Sequence, residues 1–387
     1  MTGTDVSDAK RVYRTGKSEE FPGTLLVELQ KKSSLRYGEN PNQPAAVYKF
    51  RKSSISEFTD IRLVKSGKGG LSATNLMDVT RALDILKFFK APSVAVMKHL
   101  IPSGFATQYR KERLAKTYRL ARDADFRSAF GSMVVFNTKV DVQTAKAIME
   151  RYVEGVAAPG FEEQALIVFG QKKDLRVIEF SNLDKLPKFI DDDTRGLFDM
   201  KVLPTGRVIV QKPYLSSIRS ESDSIIDPMV KNKERKAITV KKRPTKNQMR
   251  DLLTAWYVNL GVRSNGIVFV KNGVTIAVGS GQQERVGAIE QAIIKAYQKA
   301  MDKEKIKYNP LKGISQMKKL KNNPLKGAVV SSDGFFPFRD SIDLLAKIGV
   351  TAIIQPGGSI KDFEVIQAVN DNKMAMVYTL ERCFGHF

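Results

Sequence analysis

The chain has 387 residues, with 64 Lys plus Arg against 41 Asp plus Glu, a formal net charge of +23, two histidines and one cysteine. That length fits two domains or one large duplicated unit, and 42% apolar residues can build an ordinary core, so a disordered chain is excluded. The lone Cys383 excludes an intramolecular disulfide, and also a structural zinc site, which takes about four N or S ligands.

Residues 1–34 are polar and mixed and read as an N-terminal extension, with structure starting near Leu35. The opening MTGTDVSDAKRVYR has no apolar core of a signal peptide, and no run of about 18 apolar residues occurs, so a reduced, cytoplasmic protein without membrane contact is expected. A first lobe is expected over 35–200. In it Ala73–Phe89 carries apolar residues at helical spacing, with Thr74 or Asn75 as N-cap and Asp78 in the first turn. Val94–Lys98 and Gly131–Phe136 read as buried strands. A connecting segment over 201–240 leads to a second lobe over 241–387.

The second lobe opens with a helix over Gln248–Gly261. Gly266–Val270, a Lys271–Gly273 turn and Val274–Ser280 read as a hairpin. A helix over Val286–Met301 follows. Strands Gly327–Ser332, Thr351–Gln355 and Met374–Thr379 then alternate with helices Ser341–Ile348 and Ile360–Asn370. Strands alternating with helices argue for an α/β class, and the absence of a short-period repeat argues against a solenoid. Much of the charge is local. Val230–Arg250 holds nine Lys/Arg and one acid, and Asp302–Lys326 holds eight Lys and two acids. Neither stretch has a nucleic-acid motif or interleaved aromatics. They read as a solvated basic face that draws anionic metabolites, not as a nucleic-acid site.

Six clusters carry candidate chemistry. LRYGENPNQ (Leu35–Gln43) presents Arg36 and Tyr37 at an Asn-Pro turn, a setting for a phosphate fork. In MKHLIPSG (Met97–Gly104), Lys98 and His99 stand where a strand gives way to a loop. Strand carboxyl ends are where open α/β sheets place ligands. A cation beside an imidazole lowers the proton affinity of both, which suits a Lys that stabilises developing negative charge and a His that takes a proton. By itself the pair reads more readily as a surface Lys and a satisfied His. Arg263–Asn265 with GSGQQERV (Gly279–Val286) looks like a polar recognition loop. SSDGFFPFRD (Ser331–Asp340) offers aromatics and an acid for a flat heterocycle, or core Phe with a helix-capping Asp340. QPGGS (Gln355–Ser359) lets a ligand approach backbone. RCFGHF (Arg382–Phe387) holds the second histidine, His386.

Together these clusters resemble one family, the transformylase half of the bifunctional enzyme that joins an AICAR transformylase to an IMP cyclohydrolase. LRYGENPNQ is similar to its LRYGxNPHQ and KHLIPSG to its KHxNPCG. SAFG (Ser128–Gly131) and AAPGFEEQAL (Ala157–Leu166) resemble SAFGG and APGFEEEAL. RSN, GSGQQER, SSDGFFPFRD, QPGGSI and a terminal R-x-F-x-H follow in the family's order. The resemblance runs from Leu35 to Phe387. The cyclohydrolase domain that precedes LRYG in the family is absent, so a monofunctional enzyme and a separate cyclohydrolase are expected.

The resemblance implies an α/β fold of two cytidine-deaminase-like lobes arisen by duplication and free of metal. It implies catalytic roles for Lys98, His99 and His386. AICAR contacts fall to Arg36, Tyr37, Gly131, Glu154 (an aspartate position in the family), Asn265, Arg285, Phe335 and Arg382. Contacts to the co-substrate 10-formyltetrahydrofolate fall to Val286, Asp340, Ser359 and Ile360. No transition metal is implied, and a monovalent cation is compatible with it. A homodimer with sites across its interface is expected, Arg285 reaching the partner. Both histidines thus fall on matched positions, which favours the catalytic reading of the Lys98–His99 pair.

The chain departs from the family at four places. Asn42 replaces the His of NPHQ, Ile101 the Asn of KHxNP and Ser132 the second Gly of SAFGG, while Gly287 stands where some members carry His. These bear on the formyl donor more than on the reaction class, and a different donor is one alternative. A non-catalytic, basic RNA-binding protein on the same fold is another. A zinc deaminase would need a His/Cys/Cys or three-Cys set, which one cysteine excludes.

Overall fold

The computed structural model describes residues 3–6, 21–51, 60–234, 236–309, 315–316 and 320–387. Residues 1–2 and 7–20 of the N-terminal extension lie outside these, as do Arg235, Lys312, Lys318 and Lys319 of the basic stretches. Among the described residues no helix is long and apolar enough to cross a membrane.

Eleven strands make one mixed sheet. The first half supplies β1 (Arg62–Lys65), β2 (Ser93–Lys98), β3 (Ile101–Thr107), β4 (Met133–Phe136), β5 (Gly155–Ala158) and β6 (Arg176–Glu179). The second supplies β7 (Ile267–Lys271), β8 (Val274–Gly279), β9 (Val329–Ser332), β10 (Ala352–Gln355) and β11 (Ala375–Tyr378). Their spatial order is β11-β10-β9-β7-β8-β3-β2-β4-β5-β6-β1. The helices are α1 (Ala73–Leu86), α2 (Leu114–Ala124), α3 (Val142–Met149), α4 (Glu163–Gly170), α5 (Lys246–Asn259), α6 (Arg285–Lys303), α7 (Arg339–Lys347) and α8 (Asp362–Asp371).

One succession of elements occurs twice. α1-β2-β3-α2-β4-α3-β5-α4-β6 is answered by α5-β7-β8-α6-β9-α7-β10-α8-β11. The strand order β3-β2-β4-β5-β6 is likewise answered by β8-β7-β9-β10-β11, and the halves join where Ala106 of β3 lies opposite Val274 of β8. Alternation along the strands sorts their side chains to two faces. Ala95 and Met97 of β2 pack with α1 and α5 in a core common to both halves. Val94 and Val96 face the opposite way, into the core covered by α2, α3 and α4. The second half repeats this outer layer with α6, α7 and α8.

Glycines set where the outer helices cross. A Cβ on Gly104 of β3 would lie 1.9 Å from the Ala121 carbonyl oxygen of α2, and one on Gly279 of β8 would lie 2.1 Å from the Ala288 oxygen of α6. Backbone cannot yield as a flexible side chain can. Gly104→Ala is therefore expected to lower stability by about 3 kcal/mol, the upper part of the usual overpacking range. A thermal melt checks this, and an unchanged midpoint would mean that the crossing is not fixed there.

Two expectations are corrected. Helix α1 is capped at Ser72, not at Thr74 or Asn75. Ser72 Oγ accepts the Asn75 N–H at 3.2 Å and Asn75 Oδ1 accepts the Ser72 N–H at 3.3 Å, a reciprocal capping box. Ordered pairing also starts before Leu35. Leu29–Ser34 pairs antiparallel with Ala46–Phe50, and Thr4–Asp5 runs parallel to Pro228–Lys231. The sequence LQKKSS is exposed throughout, so it has no apolar alternation that would reveal a strand.

Candidate active site

The β2–β3 hairpin turns in two residues, with Lys98 opposite Ile101. His99 and Leu100, between them, have φ of 53° and 65°. Left-handed backbone at both positions is the requirement of a type I′ turn, whose twist matches the strands. Leucine does not favour it, and Asp78 of α1 supports the turn at that residue by accepting the Leu100 N–H at 2.6 Å. Lys98 is half-buried and donates from Nζ to the Gly131 carbonyl at 2.7 Å, while His99 is exposed at the tip. Gly131 has φ of 65°, and a Cβ there would come 3.1 Å from that Nζ.

Other candidates gather round this hairpin. Glu154 precedes β5, and its Oε2 accepts from Asn75 Nδ2 at 2.8 Å. The Arg36 N–H donates to the Leu71 carbonyl and the Ala73 N–H to the Tyr37 carbonyl, tying the LRYG turn to the start of α1. The Arg36 guanidinium is exposed, 5.0 Å from the Tyr37 ring. Arg36, Tyr37, Lys98, His99, Gly131 and Glu154 thus share one neighbourhood. Burial pushes the Asp78 carboxyl up to about 6, against the opposing pull of the Leu100 N–H, His99 and Lys98.

Strand directions place the second half's loops at this same end of the sheet. There β2 ends and β4, β5 and β6 begin, while β7 begins and β8, β9, β10 and β11 end. Carboxyl ends thus lie here for β2, β8, β9, β10 and β11, and the amino end for β7. The parallel strands of the first half present amino ends instead.

In the second half Asn265 donates from its N–H and Nδ2 to the Gln282 carbonyl. Arg285, at the start of α6, is buried with its guanidinium on the carboxylate of the fully buried Asp333. Ser264 Oγ donates to the other Asp333 oxygen at 2.6 Å. Phe335 is half-buried beside Gly334, whose Cβ would meet Arg285 at 2.6 Å and Phe384 at 2.7 Å. The carboxyl tail closes over this region. The Cys383 N–H donates to the Asp333 carbonyl, Arg382 lies 4.8 Å from the Phe384 ring, and His386 meets that ring edge-on with centroids 6.0 Å apart. Phe387 then covers Arg81 of α1 at 3.7 Å, tethering the tail to the helix that carries Asn75 and Asp78. Burial pushes the Cys383 thiol well up, so it packs and does not act as a nucleophile.

A third group forms at α7 and α8. Lys361 lies 4.9 Å from the Phe338 ring, bringing the segments around Asp340 and Ser359 together. Asp340 is exposed in the first turn of α7, where its Oδ1 accepts the Ser341 N–H. Ser359 and Ile360 line a cleft of about 170 Å³ whose other wall includes Val6 and Val230. Asp362, buried against it, is pushed up to about 6 by burial. Val286 is half-buried in the first turn of α6. A larger cavity of about 630 Å³, lined by Glu221, Asp227, Lys246 and Met249 among others, holds none of the candidate residues. Among the described residues no group of three or more His, Cys, Asp or Glu could hold a metal ion.

Sequence reasoning gave Asn75 and Asp78 only as helix-start residues, and assigned Ser264 and Asp333 no role of their own within their clusters. A signal for the first two was present: Ser72-x-x-Asn75-x-x-Asp78 reappears as Thr245-x-x-Gln248-x-x-Asp251 at the head of the corresponding helix.

Residues 6–295 match the family model described as AICARFT/IMPCHase bienzyme. The chain is similar to the bifunctional purine biosynthesis protein PurH of Persephonella marina, 38% identical over 376 residues, covering 96% of this chain and 62% of that protein. It is 37% identical over 372 residues to the PurH of Magnetococcus marinus, covering 96% and 63%. To that of Caldicellulosiruptor saccharolyticus it is 34% identical over 368 residues, covering 95% and 62%. The chain thus spans less than two thirds of the length of these curated relatives.

Proposed function

Because this chain belongs to the AICARFT/IMPCHase bienzyme family, we propose that it transfers the formyl group of 10-formyltetrahydrofolate to the 5-amino group of AICAR. One observation carries the reading. The Lys98–His99 hairpin, with Gly131 and Glu154, stands at the same end of the sheet as the second-half loops that hold Asn265, Phe335, Arg382, Ser359 and Ile360.

The chemistry follows from these groups. The AICAR amine is conjugated with its ring and carboxamide, so it is a weak nucleophile that must be held against the formyl carbon. Arg36 and Arg382 take the phosphate, Tyr37, Gly131, Glu154 and Asn265 the rest of the nucleotide, and Phe335 stacks on its ring. Val286, Asp340, Ser359 and Ile360 seat the folate. His99 accepts the amine proton as the new C–N bond forms. The Lys98 ammonium meets the tetrahedral oxyanion and protonates N10 as the C–N10 bond breaks. In net terms one proton passes from the amine to N10. His386, held beside Phe384, closes the site from the tail.

The repeated element succession supports two duplicated, deaminase-like halves. Exposed apolar side chains near the site, Ile360 at 85% and Phe130 at 68% accessible, support a homodimer that covers them. A spectrophotometric assay with AICAR and 10-formyltetrahydrofolate is expected to show turnover. No rate above the enzyme-free control would overturn the reading, and turnover only with formate and ATP would move the chain to a different donor. Ile101 bears on that choice, since it packs on the apolar core and offers no amide beside Lys98.

A further inference from the structure

The two halves repeat more than their strand order. A constant spacing in sequence separates Ser72, Asn75, Asp78 and Lys98 from Thr245, Gln248, Asp251 and Lys271. In the second half Asp251 accepts the Asn272 N–H at 2.8 Å and the Gly273 N–H at 2.7 Å, both in a left-handed turn with φ of 54° and 75°. Lys271 Nζ reaches the Lys326 carbonyl at 2.8 Å, beside Gly327. Gln248 Nε2 donates to Thr351 Oγ1 at 3.0 Å, in the place where Asn75 holds Glu154. One device is built twice: a helix aspartate grips a two-residue turn, and the lysine before the turn is aimed at a strand start.

The two copies differ in what they carry. The second turn is Asn-Gly, the pair that adopts this backbone most readily. It stands at the opposite end of the sheet, away from the candidate site. The first turn is His-Leu, and left-handed backbone is unfavourable for Leu100, so this turn depends more on its aspartate, which grips the Leu100 N–H. Asp78 is 4% exposed, and the groups that face it are the Leu100 N–H, Lys98, His99 and Glu154.

We propose that Asp78 is a positioning residue for formyl transfer, holding the His99–Leu100 turn so that the imidazole and the Lys98 ammonium keep their places relative to Gly131 and Glu154. This rests on the formyltransferase reading above.

Matched variants test it, because Asp251 does the same structural task where no chemistry depends on it. Asp78→Ala is expected to lower kcat about 100-fold, the usual effect of a misplacement near 1 Å, with the AICAR KM within about threefold. Asp78→Asn keeps an acceptor for the Leu100 N–H and should recover most of kcat. Asp251→Ala should lower the melting temperature at least as much while leaving kcat unchanged. Equal kcat in the two alanine variants would overturn the proposal. Should Asp78→Ala not fold, Asp78→Glu keeps the charge but displaces the acceptor, and wild-type kcat in it would equally overturn the proposal. Hydrogen exchange at the Leu100 amide reads the grip without turnover: fast in Asp78→Ala and protected in Asp78→Asn. Protection in both would refute it. A wild-type chain inactive with AICAR and formyl folate would fail the formyltransferase reading instead.

Discussion

Replacing Lys98 with arginine is expected to cut turnover about 10²- to 10⁴-fold while AICAR still binds nearly as well, the range for losing a positioned acid and an oxyanion partner. Three features of the site lead there. Lys98 is half-buried, and its Nζ rests 2.7 Å from the Gly131 carbonyl, at a glycine whose added Cβ would stand 3.1 Å from that Nζ. A guanidinium is wider and planar, so it cannot occupy the same point. It also holds its protons at any working pH, so it cannot hand one to N10. Binding should survive, because the proposed phosphate contacts, Arg36 and Arg382, stand on other elements. The check is single-turnover formyl transfer beside calorimetric titration with AICAR. Turnover within a few-fold of wild type would remove Lys98 from the mechanism.

The parts of this site that were legible before the fold have a common physical origin. Long apolar runs such as Val94–Lys98 and the periodic Ala73–Phe89 mark buried strands and an amphipathic helix, so the strand end that carries Lys98 and His99 could be placed, while the returning strand Ile101–Thr107 went unread. Glycine-rich and Asn-Pro segments mark loops, which locates Arg36, Ser359 and Asn265. What stayed hidden depends on partners far away in sequence. Asp78 looks like any first-turn acid until the β2–β3 turn is folded against it. The ion pair of Arg285 with Asp333 stayed hidden, because 48 residues separate the two in sequence. The strand Leu29–Ser34 stayed hidden because an exposed polar strand lacks the alternation that burial imposes. The joining of both halves into one sheet also escaped, because it rests on a single short pairing, Ala106 with Val274.

Removing the carboxylate of Asp333 is expected to give the largest loss of stability, about 3–5 kcal/mol, because it strands a buried guanidinium. Asp333 is fully buried, and the Arg285 side chain is 8% exposed. The pair also takes the Ser264 hydroxyl, the neighbour of Asn265, and the tail docks on the Asp333 backbone through Cys383. Asp333→Ala should therefore lower the melting temperature and weaken AICAR binding together. A double replacement, Arg285→Met with Asp333→Leu, separates the two effects. Apolar side chains of similar volume often replace a buried ion pair without loss of stability, so the melting temperature should return toward wild type. AICAR binding should not return, since the guanidinium that the family resemblance assigns to the nucleotide is gone. Thermal melts and AICAR titration on both variants check this. If the double variant bound AICAR as wild type does, Arg285 would be a purely structural partner of Asp333. If Asp333→Ala melted unchanged, the guanidinium would have found water, and the interior of the second half would be more open than its packing around Gly334 implies.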